Sequence, residues 1–222
     1  MLLIFIQNKY TILLCSVLLN VIAAPFFSQS DHPALFLNIT FSLIMLTAVL
    51  SVAKDKKLSQ AASTALMLPC LFFIWQAYFY TLEEHMLMAS AVLQALFIAY
   101  ISLLIVLFIF RSPVVTRDVV SAALVVYLFS AMLFAKLYLM LELAYPGSFS
   151  ISHETILDNP GLLKYFSMVT LSTLGYGDLS PVNDKSQALA SMEAIFGQIY
   201  LAVLIARLVG MQGASTKASS KK

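Results

Sequence analysis

The sequence predicts an all-α integral membrane protein with six transmembrane helices and one shorter helix that enters the membrane and returns. Three observations carry that expectation. Of 222 residues, 61% are hydrophobic and 11% charged, under half of the roughly 25% charge of an average soluble domain. The mean hydropathy is +0.91, and six apolar runs of about 20 residues each would occupy about 120 positions, which leaves little for a soluble domain. Finally, nearly all the charged residues stand at the ends of those runs. The net charge of +2 is small and its basic residues are scattered, so nucleic acid is not an expected partner; the expected surroundings are a lipid bilayer.

Taken in order, the runs are residues 10–27, 36–53, 61–80, 86–110, 119–143 and 187–209. The first is preceded by Lys9 and ends in Val21-Ile22-Ala23-Ala24, which has some features of a cleavable signal peptide; Pro25 argues against cleavage, so it reads as a retained span. Pro69 is expected to kink the third. A seventh apolar stretch, residues 162–174, is too short to cross a hydrocarbon core of about 30 Å and ends in glycines, so it should be re-entrant. The two cysteines, Cys15 and Cys70, fall inside apolar runs and read as buried thiols. His32, His85 and His153 lie in loops without metal-ligand spacing.

Orientation follows from Lys and Arg, which concentrate on the cytoplasmic side. Lys9, the group Lys54, Lys56 and Lys57, the pair Arg111 and Arg117, and the closing Arg207, Lys217, Lys221 and Lys222 all fall on one side of a six-span chain. The opposite loops, 28–34, 81–85 and 144–160, carry Asp31, Glu83, Glu84, Glu154 and Asp158 and no Lys or Arg. Both termini are therefore expected in the cytoplasm, in a plasma (inner) membrane. Residues 211–222 read as a flexible basic tail.

The informative segment is Thr173-Leu174-Gly175-Tyr176-Gly177-Asp178. It resembles the selectivity filter of the potassium channel family, usually Thr-Val-Gly-Tyr-Gly-Asp, and its setting matches too: a span, a short amphipathic pore helix, the motif, and another span. A dehydrated K⁺ needs oxygens to replace its hydration shell. Backbone carbonyls supply them if the strand alternates between left- and right-handed conformations, which Gly175 and Gly177 permit without a Cβ penalty. The expected K⁺ ligands are the carbonyls of Thr173, Leu174, Gly175 and Tyr176 with the Thr173 hydroxyl, and the filter also includes Gly177. Leu174 and Tyr176 side chains are expected to pack behind it. One chain holds one filter strand, so the resemblance implies a homotetramer around a central axis. No cofactor is implied beyond the K⁺ ions.

The chain departs from the usual family pattern in places. Leu174 stands for Val, and Tyr165 and Phe166 stand where many relatives have paired tryptophans. Tyr165 can still donate to Asp178, whereas Phe166 cannot donate to Tyr176 and Val169 brings no carboxylate behind the filter. A filter prone to inactivation or of weaker discrimination is expected. Gly197, nineteen residues after Asp178, matches the family's hinge glycine; a glycine there serves either a bend or a close helix crossing. Tyr200, Leu201 and Leu204 are candidates for the cytoplasmic mouth, and Arg207 for an interfacial anchor.

Lys136 and Glu193 stand inside apolar runs, where each costs about 3 kcal/mol by insertion scales. Their heights differ by about 7 Å at 1.5 Å per residue, so they are expected to pair; alternatively Lys136 reaches toward Glu142 while Glu193 faces an aqueous cavity. The expected organisation is a four-helix membrane domain over 1–110, a pore domain over 111–210 and the tail. The first domain matches a voltage sensor only in helix number, because residues 86–110 contain no Lys or Arg for the field to act on. Asn20, Asn38, Trp75 and Gln76 are expected between its helices or at an interface. The reading is a K⁺-selective channel; the alternatives are a weakly selective K⁺/Na⁺ channel and a non-conducting regulatory membrane subunit. A secondary transporter would need an inverted repeat, which is not visible. No nucleophile, phosphate loop or metal cluster points to an enzyme.

Overall fold

The computed structural model describes residues 8–27, 33–52, 57–80, 83–151 and 161–219. Asp31, His32, Lys54, Lys56, His153, Glu154, Asp158, Lys221 and Lys222 lie outside the described residues. The elements are α1 (Lys9–Phe27), α2 (Pro33–Val52), α3 (Lys57–Phe79), α4 (Glu84–Arg111), α5 (Arg117–Ala144), β1 (Phe149–Ile151), α6 (Gly161–Leu171), β2 (Leu179–Pro181) and α7 (Asp184–Ser219). The six long helices coincide with the six apolar runs. Among the described residues, Leu35–Val52, Glu84–Arg111, Arg117–Ala144 and Asp184–Arg207 are long and apolar enough to cross a membrane, while Lys9–Ile22 and Gly161–Leu171 are shorter apolar helices.

Two compact units divide the chain, Met1–Val126 and Tyr127–Lys222. The division falls within α5, not at the 110/111 boundary expected from the loop. The cause is local: the first turns of α5 bond to α1, with Asp118 Oδ1 accepting from the Tyr10 N–H at 2.9 Å and the Thr11 and Ser121 hydroxyls 3.0 Å apart. Asp118 thereby satisfies one of the orphan N–H groups that open α1.

Inside the first unit, α1 and α2 run antiparallel and are joined by neutral polar rungs. Asn20 Nδ2 donates to Thr40 Oγ1 at 2.7 Å, the Ser16 and Thr47 hydroxyls meet at 3.0 Å, and Ser51 Oγ donates to the Lys9 carbonyl at 3.1 Å. Asn38 Nδ2 reaches the Ile74 carbonyl of α3 at 3.3 Å. Trp75 stacks on Phe79 with ring centroids 6.3 Å apart. Helix α3 runs through Pro69 without interruption. Cys70 is buried as expected, but Cys15 is exposed, because it faces outward from α1.

In the second unit, β1 and β2 form an antiparallel pair, with Phe149 opposite Pro181 and Ile151 opposite Leu179. Helix α7 continues to Ser219, into the segment expected to be a flexible tail. Once a helix is formed, each further residue adds a hydrogen bond at little cost, and no proline interrupts this one.

Candidate functional site

Helix α6 aims the motif. Its last turn closes with Ser172 N–H donating to the Met168 carbonyl at 3.1 Å, then Thr173 to Thr170 and Leu174 to Val169, each at 2.9 Å. Beyond it the backbone alternates: φ is +59° at Thr173, +60° at Gly175 and +79° at Gly177, with Leu174 and Tyr176 between them outside the left-handed region. Such alternation turns successive carbonyls to one side of the strand, as a ring of ion-coordinating oxygens requires. A Cβ on Gly175 or Gly177 would meet nothing within 4 Å. It is therefore the backbone conformation, and not crowding, that calls for glycine here. Thr173 holds the same conformation with a β-branched side chain, a strained arrangement of the kind found at functional sites. Leu174 and Tyr176 are 57% and 66% exposed in the single chain.

The strand is fixed at its exit. Tyr165 Oη on α6 donates to Asp178 Oδ2 at 2.7 Å, and this bond pushes the Tyr165 phenol up to about 12. Directly after Asp178, β2 pairs with β1. Asn183 opens α7 with a reciprocal cap: its Oδ1 accepts from the Ser186 N–H at 2.9 Å and its own N–H donates to Ser186 Oγ at 3.2 Å. Both residues also bond Ser148, through Asn183 Nδ2 to Ser148 Oγ and Ser186 Oγ to the Ser148 carbonyl, each at 2.8 Å. Glu142 holds the preceding turn by accepting from the Gly147 and Ser148 N–H groups at 2.8 and 2.9 Å, and Lys185 Nζ lies 3.1 Å from the Tyr145 ring centroid. Sequence reasoning missed this frame. The three-residue strands carry no alternation to detect, although Asn183 three residues before a serine was a legible cap signal.

A family model described as ion channel matches residues 122–211. Over 81 residues, 35% of this chain, the sequence is 36% identical to the inward rectifier potassium channel Kirbac3.1 of Paramagnetospirillum magnetotacticum. The match spans about a quarter of that relative, 24% of its length. Together these bear out the expected likeness to the potassium channel family. No solved structure matches the chain.

Behind the strand of residues 173–178, two expectations are corrected. Glu193 is fully buried, and its two oxygens meet the hydroxyls of Tyr138 on α5 and Ser167 on α6. Lys136 is not its partner, and Glu193 does not face an aqueous cavity, since burial within one chain can only deepen on assembly. Glu142, the alternative partner for Lys136, is committed to the β1 turn. Axial height placed Lys136 and Glu193 near one level, but rotation about α5 presents Tyr138 instead.

Gly197 lies in unbroken helix. A Cβ there would come 2.4 Å from the Leu171 carbonyl oxygen and 3.0 Å from Leu171 Cδ1, so close packing of α7 against the end of α6 requires this glycine. Buried Ser186, Ala190, Glu193 and Gly197 form one stripe at helical spacing along α7. Tyr200, expected at the mouth, instead turns toward α5, its ring 5.9 Å from Tyr127 and stacked at 6.0 Å on Phe196. Phe166 fills its tryptophan-like position in a cluster with Tyr138 and Phe149, at centroid distances of 5.1 and 5.5 Å.

Proposed function

We propose that the chain is a K⁺-selective channel that conducts passively through a homotetrameric pore. It crosses the plasma (inner) membrane six times, keeps both termini in the cytoplasm and has little intrinsic voltage dependence. The observation that carries this reading is the alternating backbone at Thr173, Gly175 and Gly177. Four such strands would stack rings of carbonyl oxygens from Thr173, Leu174, Gly175 and Tyr176, with the Thr173 hydroxyl innermost. K⁺ sheds its water into these rings because the oxygens replace the hydration shell, and neighbouring ions keep each other moving. Tyr165 and Asp178 hold the outer end, and Gly197 lets the inner helix α7 close on the pore helix α6, where it is also placed to act as a hinge.

Tetramer formation is supported by the surfaces one chain leaves open. Beyond its single buried stripe, α7 exposes Met192, Ile195, Ile199 and Val203, and the filter exposes Leu174 and Tyr176. Low voltage dependence is supported by α4, whose basic residue Arg111 stands only at its last position. The test is a K⁺ flux assay on purified protein in liposomes, with bi-ionic reversal potentials against Na⁺. At φ +60° alanine costs about 1 kcal/mol per copy. Over four copies Gly175→Ala should therefore lower flux roughly a thousandfold. Flux that survives the substitution, or its absence from the natural sequence, would overturn the reading.

A further inference from the structure

Glu193 is a buried carboxyl group whose two oxygens both meet hydroxyls, and among the described residues neither meets a cation. An ionised carboxylate in that setting is heavily penalised, because two neutral hydroxyls replace only part of the water it has lost. Counting protons around it gives the same answer independently. Ser167 Oγ lies 2.6 Å from the Ala131 carbonyl of α5, which can only accept. The same Oγ also meets Glu193 Oε1. A serine has one proton, so with an ionised carboxylate one of those two contacts would set lone pair against lone pair.

We infer that Glu193 is a protonated carboxylic acid, and that it donates to Ser167 and joins the inner helix α7 to α5 and α6 as a neutral latch. Each contact then has its proton. Tyr138 O–H donates to Glu193 Oε2, Glu193 Oε1–H donates to Ser167 Oγ, and Ser167 O–H donates to the Ala131 carbonyl, whose second lone pair is free of the helix ladder. Ser167 lies on the helix that ends at the filter, and Glu193 lies one turn before Gly197, where α7 touches the last residue of that helix. Glu193 is therefore a positioning residue: displacement of α7 is passed to α6 through a bonded contact as well as by packing. Its effect on conduction rests on the channel reading; its protonation does not.

The proton count separates two variants. Glutamine reproduces the acid group by group, with an acceptor for Tyr138 and a donor for Ser167, whereas an ionised glutamate would be copied by neither. Infrared difference spectra of the purified full-length protein at neutral pH should show the carbonyl stretch of a protonated carboxylic acid, lost in Glu193→Gln. Tyr138→Phe should shift that band upward, because the acid carbonyl loses its donor. In thermal unfolding, Glu193→Gln should stay near the natural protein, while Glu193→Ala should fall by roughly 5 °C. No Glu193-dependent band, or a Gln variant as unstable as the Ala variant, would overturn the proposal. Neither readout uses K⁺ flux, so failure here and failure of the channel reading are told apart.

Discussion

The first unit and the second unit both bury polar side chains among apolar helices, but they do so with different chemistry. Between α1 and α2 the rungs are neutral and repeated: Asn20 with Thr40, Ser16 with Thr47, Ser51 with the Lys9 carbonyl. The charges described in this unit stand at helix ends: Lys9 lies 4.8 and 5.3 Å from the rings of Tyr10 and Phe108, and Asp118 caps α1. In the second unit single carboxyl groups occupy single crossings: Glu142 at the β1 turn, Asp178 before β2 and Glu193 behind α6. A repeated neutral ladder tolerates the loss of a rung and offers no charge for a membrane field to move. A unit built on single crossings is intolerant at each of them. Substitutions that separate the two kinds of packing should therefore have very different effects.

The largest effect is expected at Gly197. A Cβ at this position would lie 2.4 Å from the Leu171 carbonyl oxygen, a backbone atom that cannot rotate away. Overpacking of this kind costs about 3 kcal/mol, the top of its usual range. Because Leu171 is the last residue of α6, the displaced atoms lead straight into the Thr173–Asp178 strand. Gly197→Ala should lower the thermal midpoint by roughly 6 °C or more and depress K⁺ flux. Gly210, on the same helix, has nothing within 4 Å of a Cβ, so Gly210→Ala should be neutral or gain up to about 1 kcal/mol of helix propensity. Equal effects at the two glycines would remove the contrast between a crossing and a free face.

What was legible in the sequence was whatever lies along one axis or in one short string. The apolar runs coincide with the six long helices because hydrophobicity over about 20 residues is a local property, and the six-residue motif marks its own backbone conformation. Position around a helix was not legible. Lys136 and Tyr138 differ by two residues, about 200° of rotation, and only the packed structure decides which of them reaches Glu193. Tyr200 was misplaced for the same reason. The bonds of Asp118 and Ser121 that bind the start of α5 to α1 are likewise absent from the linear string. Cys15 was misread because an apolar run has an outer face as well as an inner one.

A middle-sized effect is expected at Tyr165. Its bond to Asp178 at 2.7 Å joins two groups that are exposed in the chain, so its loss costs on the order of 1 kcal/mol. Tyr165→Phe keeps the ring and removes the donor. Steady K⁺ current should then decay faster and discriminate less against Na⁺, with thermal stability almost unchanged. Because the bond to Asp178 holds the Tyr165 phenol up to about 12, the donor keeps its proton as pH rises through the ordinary tyrosine range. The natural protein should thus keep its current at pH values where a free phenol would ionise, and a loss near pH 10 would show that the bond does not form in the conducting state.

The smallest effect is expected in the neutral ladder. Thr47 Oγ1 meets Ser16 Oγ at 3.0 Å, yet it also lies 2.9 Å from its own helix carbonyl at Leu43, and Ser16 lies 2.9 Å from that of Ile12. Each hydroxyl has a second acceptor within its own turn. Thr47→Val replaces one hydroxyl with a methyl of similar size and leaves Ser16 satisfied, so the loss should be about 0.6 kcal/mol, the average for hydrogen bonds between membrane helices. That corresponds to a fall of roughly 2 °C in the thermal midpoint, well short of Glu193→Ala. If Thr47→Val fell as far as the glutamate variant, the rungs between α1 and α2 would have to act as one cooperative network, and the two units would differ in the identity of their polar groups but not in their tolerance.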